Sequence, residues 1–255
     1  VFFIGHGSPM NAIETNEFSN VWKTLSTTIP TPRAILCVSA HWVTRHTAIT
    51  SNENPPTIHD FGGFPKELFQ VEYPAKGSPE IANQILSSLP DCPIKLDSSW
   101  GLDHGTWSIL RHIYPNADIP VLQLSLQNTP EGLLHYKIGQ QLKVLRSMGI
   151  LIVGSGNLIH NLGLVDWSKM NAKNYGFDWA IRANDLFKNL ILKDDTTSLI
   201  NYESLGSDVR LAIPTPEHYL PFLYILGAKE NSDQIEFFND ELVMGSLNMT
   251  SVRFG

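Results

Sequence analysis

Four histidines of this chain stand in short, turn-rich settings that do not resemble a buried core. His6 lies between two glycines after an apolar start, and His41 ends an apolar run. His160 follows the apolar run 150–153 and a Gly-Ser-Gly-Asn turn, and His218 lies in Pro-Thr-Pro-Glu-His-Tyr-Leu-Pro. Since open α/β sheets place ligands at the carboxyl ends of parallel strands, His6 and His41 are expected at one site. The pattern predicts a metal site assembled from distant parts of the chain.

Each of these positions also has a structural interpretation that stays open at this point. His6 could be a turn residue with a structural hydrogen bond, His41 a core residue bonded to backbone, and His160 a helix-start residue facing water. Glu217 precedes His218, but successive helical residues project roughly 100° apart, so both are not expected on one ion. We favour His218 as the third ligand, while Glu217 could complement a helix dipole.

A second group of polar residues is expected around this site. Asp103 is placed to cap a helix, and His104 after it could bind substrate or move protons. His59, before Asp-Phe-Gly-Gly, is a weaker candidate. Asn157 and Asn161 flank His160 and could orient its ring.

The chemistry that suits these parts is metal-assisted. Three imidazoles with open coordination positions fit either zinc hydrolysis or non-haem iron oxygen chemistry, and imidazole suits both metals. The His-Glu-x-x-His helix, the Gly-x-Ser-x-Gly elbow and the full nucleotide-binding glycine fingerprint are all absent. Aromatic residues near the histidines favour a flat aromatic substrate. They are Trp42, Phe61, Phe64, Trp107 and Tyr219.

The elements that must position these residues alternate between strand and helix patterns, which predicts an α/β fold with a largely parallel central sheet and a cleft at the strand ends. The predicted strands are 1–4, 34–40, 94–96, 121–126, 150–153, 235–243 and 249–254. The predicted helices are 16–26, 78–89, 104–113, 130–148, 177–192 and 219–226. Residues 44–74 are interpreted as an ordered substrate loop, and the weakly patterned stretch 193–210 could form a mobile flap.

Composition sets the broad class of protein. The chain has 255 residues, a formal net charge of −7 and no basic stripe, which argues against nucleic acid as a partner. No apolar stretch approaches the roughly 20 residues of a membrane span. The two cysteines, Cys37 and Cys92, form no disulfide framework, so we expect a cytoplasmic protein. We interpret residues 1–255 as one domain, and either a monomer or a homodimer fits.

Six motifs and a seventh short segment occur in a fixed order along the chain and resemble one enzyme family. The motifs are Gly5–Pro9, Ser39–Trp42, His59–Pro65, Asp103–Gly105, Gly156–Asn157 with His160–Leu162, and Pro214–Pro221, and the segment is Met244–Leu247. Each is weak alone, but in this order they resemble the class III extradiol ring-cleavage dioxygenases, the LigB-type superfamily. The match is best with its 4,5-DOPA dioxygenase extradiol-like branch, and it runs from residue 1 to 255.

The resemblance implies one catalytic α/β domain with a mononuclear divalent metal in a cleft. It implies His6 and His41 as metal ligands and His218 at the third position, with Glu217 the lesser candidate because the wider superfamily uses a glutamate there. His160 matches a residue close to the metal, either a further ligand or the acid–base group. His104 matches a substrate-side histidine.

The implied reaction inserts both atoms of O2 into a catechol ring, DOPA-like by the branch. Fe(II) is expected for activity, and Zn(II) is possible in purified protein. His160 is the expected base toward the catechol, and His104 is expected to hydrogen-bond substrate or oxygen. Two alternatives stay open: a zinc-dependent hydrolase on the same scaffold, and a non-enzymatic metal-binding or signalling protein.

Overall fold

A computed structural model describes residues 1–255, and its centre is a twisted eight-stranded sheet. The strands in chain order are β1 (Phe2–Gly5), β2 (Ala34–Thr44), β3 (Ala48–Thr50), β4 (Lys95–Asp97), β5 (Val121–Gln127), β6 (Ile150–Gly156), β7 (Ile235–Phe238), β8 (Leu242–Val243), β9 (Leu247–Asn248) and β10 (Ser251–Phe254). The order across the large sheet is β4-β3-β5-β2-β6-β1-β10-β7, and β8 pairs with β9 separately.

The middle of the sheet is parallel, and its edges are mixed. β5, β2, β6 and β1 run parallel to one another, whereas β3 is antiparallel to β5 and β10 is antiparallel to β1 and β7. The predicted α/β class with a largely parallel sheet is therefore confirmed. Because the four central strands share one direction, their carboxyl ends meet at the same edge of the sheet.

Helices cover both faces of the sheet. They are α1 (Glu17–Leu25), α2 (Pro79–Ser88), α3 (His104–Ile113), α4 (Gly132–Leu142), α5 (Val144–Ser147), α6 (Asp178–Leu192), α7 (Thr196–Ile200), α8 (Ser207–Ala212) and α9 (Leu220–Ala228). The central strands are largely apolar because alternate side chains enter two different cores. In β2, for example, Leu36 and Val38 pack with α4 and α9, whereas Ile35 and Cys37 pack with α1 and α3.

The structure corrects several predicted boundaries. β2 continues to Thr44 past a register shift between Val38 and Val43, so His41 lies within a strand and not after it. The segment predicted as a loop from residue 44 contains the short strand β3. The helix predicted over 130–148 is interrupted at Lys143, whose backbone angles stay helical, so only the hydrogen-bond pattern breaks there.

The weakly patterned stretch 193–210 is also structured. It holds α7 and the start of α8. Both helices are too short for an amphipathic pattern to repeat. No helix of the protein combines the length and the apolar character that crossing a membrane requires.

Candidate metal centre

His6 enters the site from the end of β1, where the chain turns at Gly7 with a φ of +60°. Its side chain is 2% exposed, and its Nδ1 lies 2.9 Å from the hydroxyl oxygen of Ser155 at the end of β6. Because β1 and β6 are parallel neighbours, with Gly5 opposite Gly156, the sheet itself brings these two side chains together.

The hydrogen bonds of Ser155 fix which nitrogen of His6 carries a proton. The Ser155 hydroxyl donates its only proton to the carbonyl oxygen of Gly105 at 2.5 Å, since a carbonyl can only accept. The serine oxygen must therefore accept from His6, which places a proton on Nδ1 of His6. The lone pair of His6 is then on Nε2, the nitrogen that faces the other histidines.

His41 and His104 lie against each other beside His6. The ring centroids of His41 and His104 are 3.9 Å apart, and Nε2 of His41 is 3.1 Å from Nε2 of His6. Nitrogen atoms of the three rings lie within 4.8 Å of one another. Gly105 permits this approach, because a Cβ there would lie 2.8 Å from Cδ2 of His41 and 2.6 Å from the hydroxyl of Ser39.

Asp60 reaches both of these histidines from the segment that follows β3. Its Oδ2 lies 2.9 Å from Nδ1 of His104 and 3.5 Å from Nδ1 of His41, and its Oδ1 accepts a hydrogen bond from the backbone N–H of His104. The side-chain contact with His104 is close but falls short of hydrogen-bond alignment. Burial acts to raise the pKa of Asp60, but His104 outweighs it and holds that pKa below its usual value.

These contacts test whether a cation fits the site. Nδ1 of His6 donates to Ser155, so Nε2 of His6 presents a lone pair, and the Asp60 carboxylate 3.5 Å from Nδ1 of His41 favours a proton on that nitrogen electrostatically. At 3.1 Å the two Nε2 atoms are close enough that either a proton on one of them or a cation between them is needed to avoid repulsion of their lone pairs. Two nitrogens bound at about 2.0–2.1 Å to one ion are roughly 3–3.4 Å apart. The donor set and its spacing therefore fit a divalent metal.

His218 and His160 complete the cluster from the opposite side. The His218 ring centroid lies 5.3 Å from that of His6 and 5.0 Å from that of His41. His160 stacks on His218 with centroids 3.5 Å apart and planes within 6° of parallel. His218 comes close to the sheet because residue 156 is glycine: a Cβ there would lie 2.1 Å from the His218 carbonyl oxygen.

The cluster favours neutral imidazoles. Burial, followed by repulsion from the neighbouring histidines, lowers the pKa of His41 to about 3. Burial lowers the pKa of His160 to about 4, with the Glu217 charge acting in the opposite direction. The pKa values of His6 and His218 lie well below the usual value for the same reasons as that of His41. Neutral imidazole is the form that binds metals.

A buried polar network supports the amino end of α3 beneath these rings. Asp103 is fully buried and caps α3 by accepting from the backbone N–H of Thr106. Its carboxylate also accepts from the hydroxyl of Ser39 and the amide of Gln123. Burial raises the pKa of Asp103, and these hydrogen bonds offset the cost of burying its carboxyl group. The predicted capping role of Asp103 is thus present.

Aromatic rings form one wall of the site. Phe61 approaches His104 edge-on at 5.5 Å, and it also lies against Phe64 at 5.5 Å, Phe69 at 5.0 Å and Trp107 at 6.1 Å. We call Phe61, Phe64, Phe69 and Trp107 the aromatic wall. Phe61 is the member that contacts a site histidine, and Trp107 is fully buried, so the Phe61 ring gives the cluster an apolar side suited to a flat ring.

Two of the aromatic residues expected near the histidines have other surroundings. Tyr219 is fully buried, packs against Tyr202 at 4.6 Å and donates its hydroxyl to the carbonyl of Leu199, so it belongs to the core. Trp42 stacks on Trp100 with planes 3° apart. Both positions follow a site histidine by one residue, and neighbouring residues project in different directions.

The structure thus brings five of the sequence-derived candidates together: His6, His41, His104, His160 and His218. His59 lies outside the cluster, because its Nε2 contacts the Val71 carbonyl at 3.0 Å and its ring packs against the aromatic wall. Glu217 is half-buried, and neither it nor His218 belongs to the group of ligand atoms within 4.8 Å of one another.

Sequence reasoning missed Asp60 and Ser155 as parts of the site. Asp60 directly follows His59 inside one of the motifs, and a carboxylate among aromatic residues was the available signal. Ser155 ends a strand that neighbours the strand of His6, so the strand-end rule used for the histidines also applied to it.

Comparisons with known proteins relate this chain to one family over nearly its whole length. Residues 2–255 match the family model described as the catalytic LigB subunit of aromatic ring-opening dioxygenase. A protein of Escherichia coli K12 named 4,5-DOPA dioxygenase extradiol is 44% identical over 99% of this chain and 93% of its own. A protein of the same name from Beta vulgaris is 36% identical over 99% of this chain and 95% of its own. The crystal structure of an uncharacterized protein from E. coli K12 superposes with a TM-score of 0.83 and 38% identity, over 100% of this chain and 98% of that one.

Proposed function

The chain belongs to the family of the catalytic LigB subunit of aromatic ring-opening dioxygenases and is an extradiol dioxygenase, and from that premise we propose that its substrate is a DOPA-like catechol. The family implies an aromatic substrate and O2 as reactants. The finer choice of a catechol with a DOPA-like side chain is supported by relatives that carry the name 4,5-DOPA dioxygenase extradiol. We further propose that residues 1–255 form one catalytic domain that works in the cytoplasm.

We propose that a single Fe(II) is held by His6, His41 and His218. The fixed tautomer of His6 and the 3.1 Å separation of the His6 and His41 Nε2 atoms support the first two assignments. The ring centroid of His218 lies 5.3 Å from that of His6 and 5.0 Å from that of His41, which supports His218 as the third ligand. When bound, the metal would hold the two catechol oxygens and O2 at contact distance and supply the electronic route between them.

The protein side chains then have separate tasks. His160 is proposed as the base that takes a proton from a catechol hydroxyl, because its ring lies stacked on His218 at the border of the cluster. His104, with Nδ1 turned to Asp60, is proposed to direct Nε2 toward the reacting oxygens. The aromatic wall is proposed to hold the ring of the substrate flat and to exclude water from that side.

The single observation that carries this proposal is the meeting of His6 and His41, nitrogen to nitrogen, within a five-histidine cluster that has an aromatic wall. A hydrolytic zinc site could share the imidazoles, but a flat apolar wall beside them favours an aromatic ring over a peptide or phosphate.

The test is anaerobic reconstitution with Fe(II), followed by oxygen consumption with DOPA, caffeate and protocatechuate. The expected result is oxygen uptake with DOPA that requires Fe(II), does not occur with Zn(II), and yields a yellow ring-opened product. Oxygen uptake with none of the three catechols by fully Fe(II)-loaded protein would contradict the proposed substrate class. Preference for protocatechuate or caffeate over DOPA would replace the DOPA-like side chain with the favoured one.

A further inference from the structure

Asp60 contacts the site at three points, and each contact is to a different partner atom. Its Oδ1 accepts from the backbone N–H of His104 at 2.9 Å. Its Oδ2 lies 2.9 Å from Nδ1 of His104 and 3.5 Å from Nδ1 of His41. The carboxylate is 19% exposed, so it is shielded on the side of the histidines and open on the other. One carboxylate therefore contacts two of the five site histidines.

Capping of α3 does not account for this arrangement. The helix already has its cap in Asp103, which accepts from the N–H of Thr106, and Asp60 adds a bond only to the first helical N–H. That bond uses Oδ1. The second oxygen, Oδ2, is directed at two imidazole nitrogens, an arrangement that a capping role does not require.

The contacts determine how the two rings can be oriented. A carboxylate oxygen only accepts, so the 2.9 Å contact favours a proton on Nδ1 of His104, and the longer 3.5 Å contact favours one on Nδ1 of His41 more weakly. The Nε2 atoms then carry lone pairs on the opposite edge of each ring, and Nε2 of His41 faces His6. The other tautomer would aim a nitrogen lone pair at the carboxylate, and a flipped ring would place Cδ2 there in place of Nδ1, so both arrangements are unfavourable.

Asp60 also joins two parts of the site that come from different segments. It precedes Phe61 of the aromatic wall, whose ring lies edge-on to His104 at 5.5 Å. The same segment is fastened to α3 because the Ile58 carbonyl accepts from the indole of Trp107. Movement of this segment would therefore shift both the wall and the carboxylate that orients the rings.

We propose that Asp60 is a positioning residue that locks His104 and His41 with their Nε2 atoms in the site and ties that orientation to the aromatic wall. The inference rests on the proposed function for its catalytic consequence, whereas the orientation itself is a property of the protein without substrate. Carboxylates that bond the far nitrogen of a site imidazole typically change metal affinity or activity by about 10–100-fold when removed.

The test uses Asp60→Asn, in which the side-chain amide keeps the shape but can donate to Nδ1 and so favours the wrong tautomer. Asp195→Asn is the matched control, because Asp195 caps α7 through Ser198 and has no bond to the cluster. Imidazole ¹⁵N chemical shifts in the metal-free proteins report the tautomers, and titration with Zn(II) alone reports affinity. Steady-state kinetics with DOPA separate kcat from KM.

The expected result is Nδ1–H on His104 in the wild-type protein and in Asp195→Asn. Asp60→Asn should change the nitrogen shifts of His104, bind Zn(II) about 10–100-fold more weakly and lose kcat with little change in KM. Wild-type protein with Nε2–H on His104, or Asp60→Asn with unchanged shifts and Zn(II) affinity within twofold, would overturn the proposal. If Asp60→Asn does not fold, the wild-type nitrogen spectrum decides alone. Failure of ring cleavage in the wild type counts against the proposed function. The nitrogen chemical shifts and the Zn(II) affinity would still test the positioning role of Asp60.

Discussion

The hydroxyl of Ser155 lies 2.9 Å from Nδ1 of His6 and donates its own proton elsewhere, to the carbonyl of Gly105. The protonation of His6 is therefore set by a strand neighbour and a helix backbone together, without any charged group. The sheet register places Ile4 opposite Ser155, which brings Ser155 close to His6. Because Nδ1 of His6 then donates to Ser155, the lone pair of the ring is on Nε2.

Ser155→Ala is expected to weaken metal binding by about tenfold, because Nδ1 of His6 loses its acceptor and the ring loses its fixed tautomer. Titration with Fe(II) or Zn(II) measures this effect. Ser251→Ala is the control: that buried hydroxyl accepts from the N–H of Gly5 and donates to the carbonyl of Met249, with no contact to a histidine. Equal loss of metal affinity in both variants would show that Ser155 acts through general stability only.

Gly156→Ala is expected to displace His218, because the added Cβ would meet its carbonyl oxygen at 2.1 Å. Overpacking of this kind costs about 1–3 kcal/mol, and the shift of His218 should also reduce metal content. Thermal unfolding and metal analysis of purified protein measure both effects. Gly62→Ala adds the same methyl group where nothing lies within 4 Å, so it should leave both unchanged. Metal content in Gly156→Ala equal to that of Gly62→Ala would argue against His218 as a ligand.

The sequence predicted the parts of the site that depend on local pattern. Apolar runs located β1, β2 and β6, and the strand-end rule then grouped His6 with His41. The extension of β2 past His41 escaped prediction, because it depends on pairing with β5 after a register shift, which no local periodicity records.

The parts that escaped prediction depend on distances between remote segments. Asp60 is 44 residues from its partner His104, and neither residue carries a local signal that names the other. The short helices α7 and α8 were missed since fewer than two turns give no amphipathic period, although Asp195 three residues before Ser198 is a recognisable cap.

Substitutions of the proposed metal ligands and of the proposed catalytic histidines are expected to have different effects. His6→Ala, His41→Ala and His218→Ala should each abolish stoichiometric metal binding, because each removes one of three proposed ligands. His160→Ala and His104→Ala should keep most of the metal and lose at least about 100-fold in kcat, as expected for groups that move or hold protons. Metal analysis beside oxygen uptake measures the two effects.

The metal content of these variants decides whether His218 or His104 is the third ligand beside His6 and His41. His104 lies in the group with ligand atoms within 4.8 Å, whereas His218 approaches His6 and His41 ring to ring at 5.3 Å and 5.0 Å. A metal-free His104→Ala together with a metal-loaded His218→Ala would exchange their roles. A metal-free His160→Ala would make His160 a ligand.

Metal addition is expected to stabilise the fold in proportion to its binding. At a free metal concentration of 100 times Kd, linkage predicts about 2.7 kcal/mol of added stability, because only the folded chain assembles the cluster. Denaturant unfolding with and without Zn(II) measures the difference. His41→Ala serves as the control and should show no metal-dependent change. An equal gain in both proteins would place the bound metal outside the cluster.

Asp233→Asn is expected to destabilise the protein by about 1–3 kcal/mol at neutral pH, because the change breaks a largely buried, two-bond pair with Arg146. Burial acts to raise the pKa of Asp233, but Arg146 outweighs it, so the folded-state pKa lies below the usual value of 3.8. A depressed pKa contributes stability that is complete above the unfolded value and disappears as pH falls through the folded value. The difference between wild type and Asp233→Asn should therefore be constant from pH 7 to about 5 and shrink below about pH 4.

Asp208→Asn, which breaks the more exposed pair with Arg182, should have a smaller effect across the same range. Denaturant unfolding measured against pH checks both variants, and a wild-type advantage over Asp233→Asn that grows toward low pH would contradict the assignment.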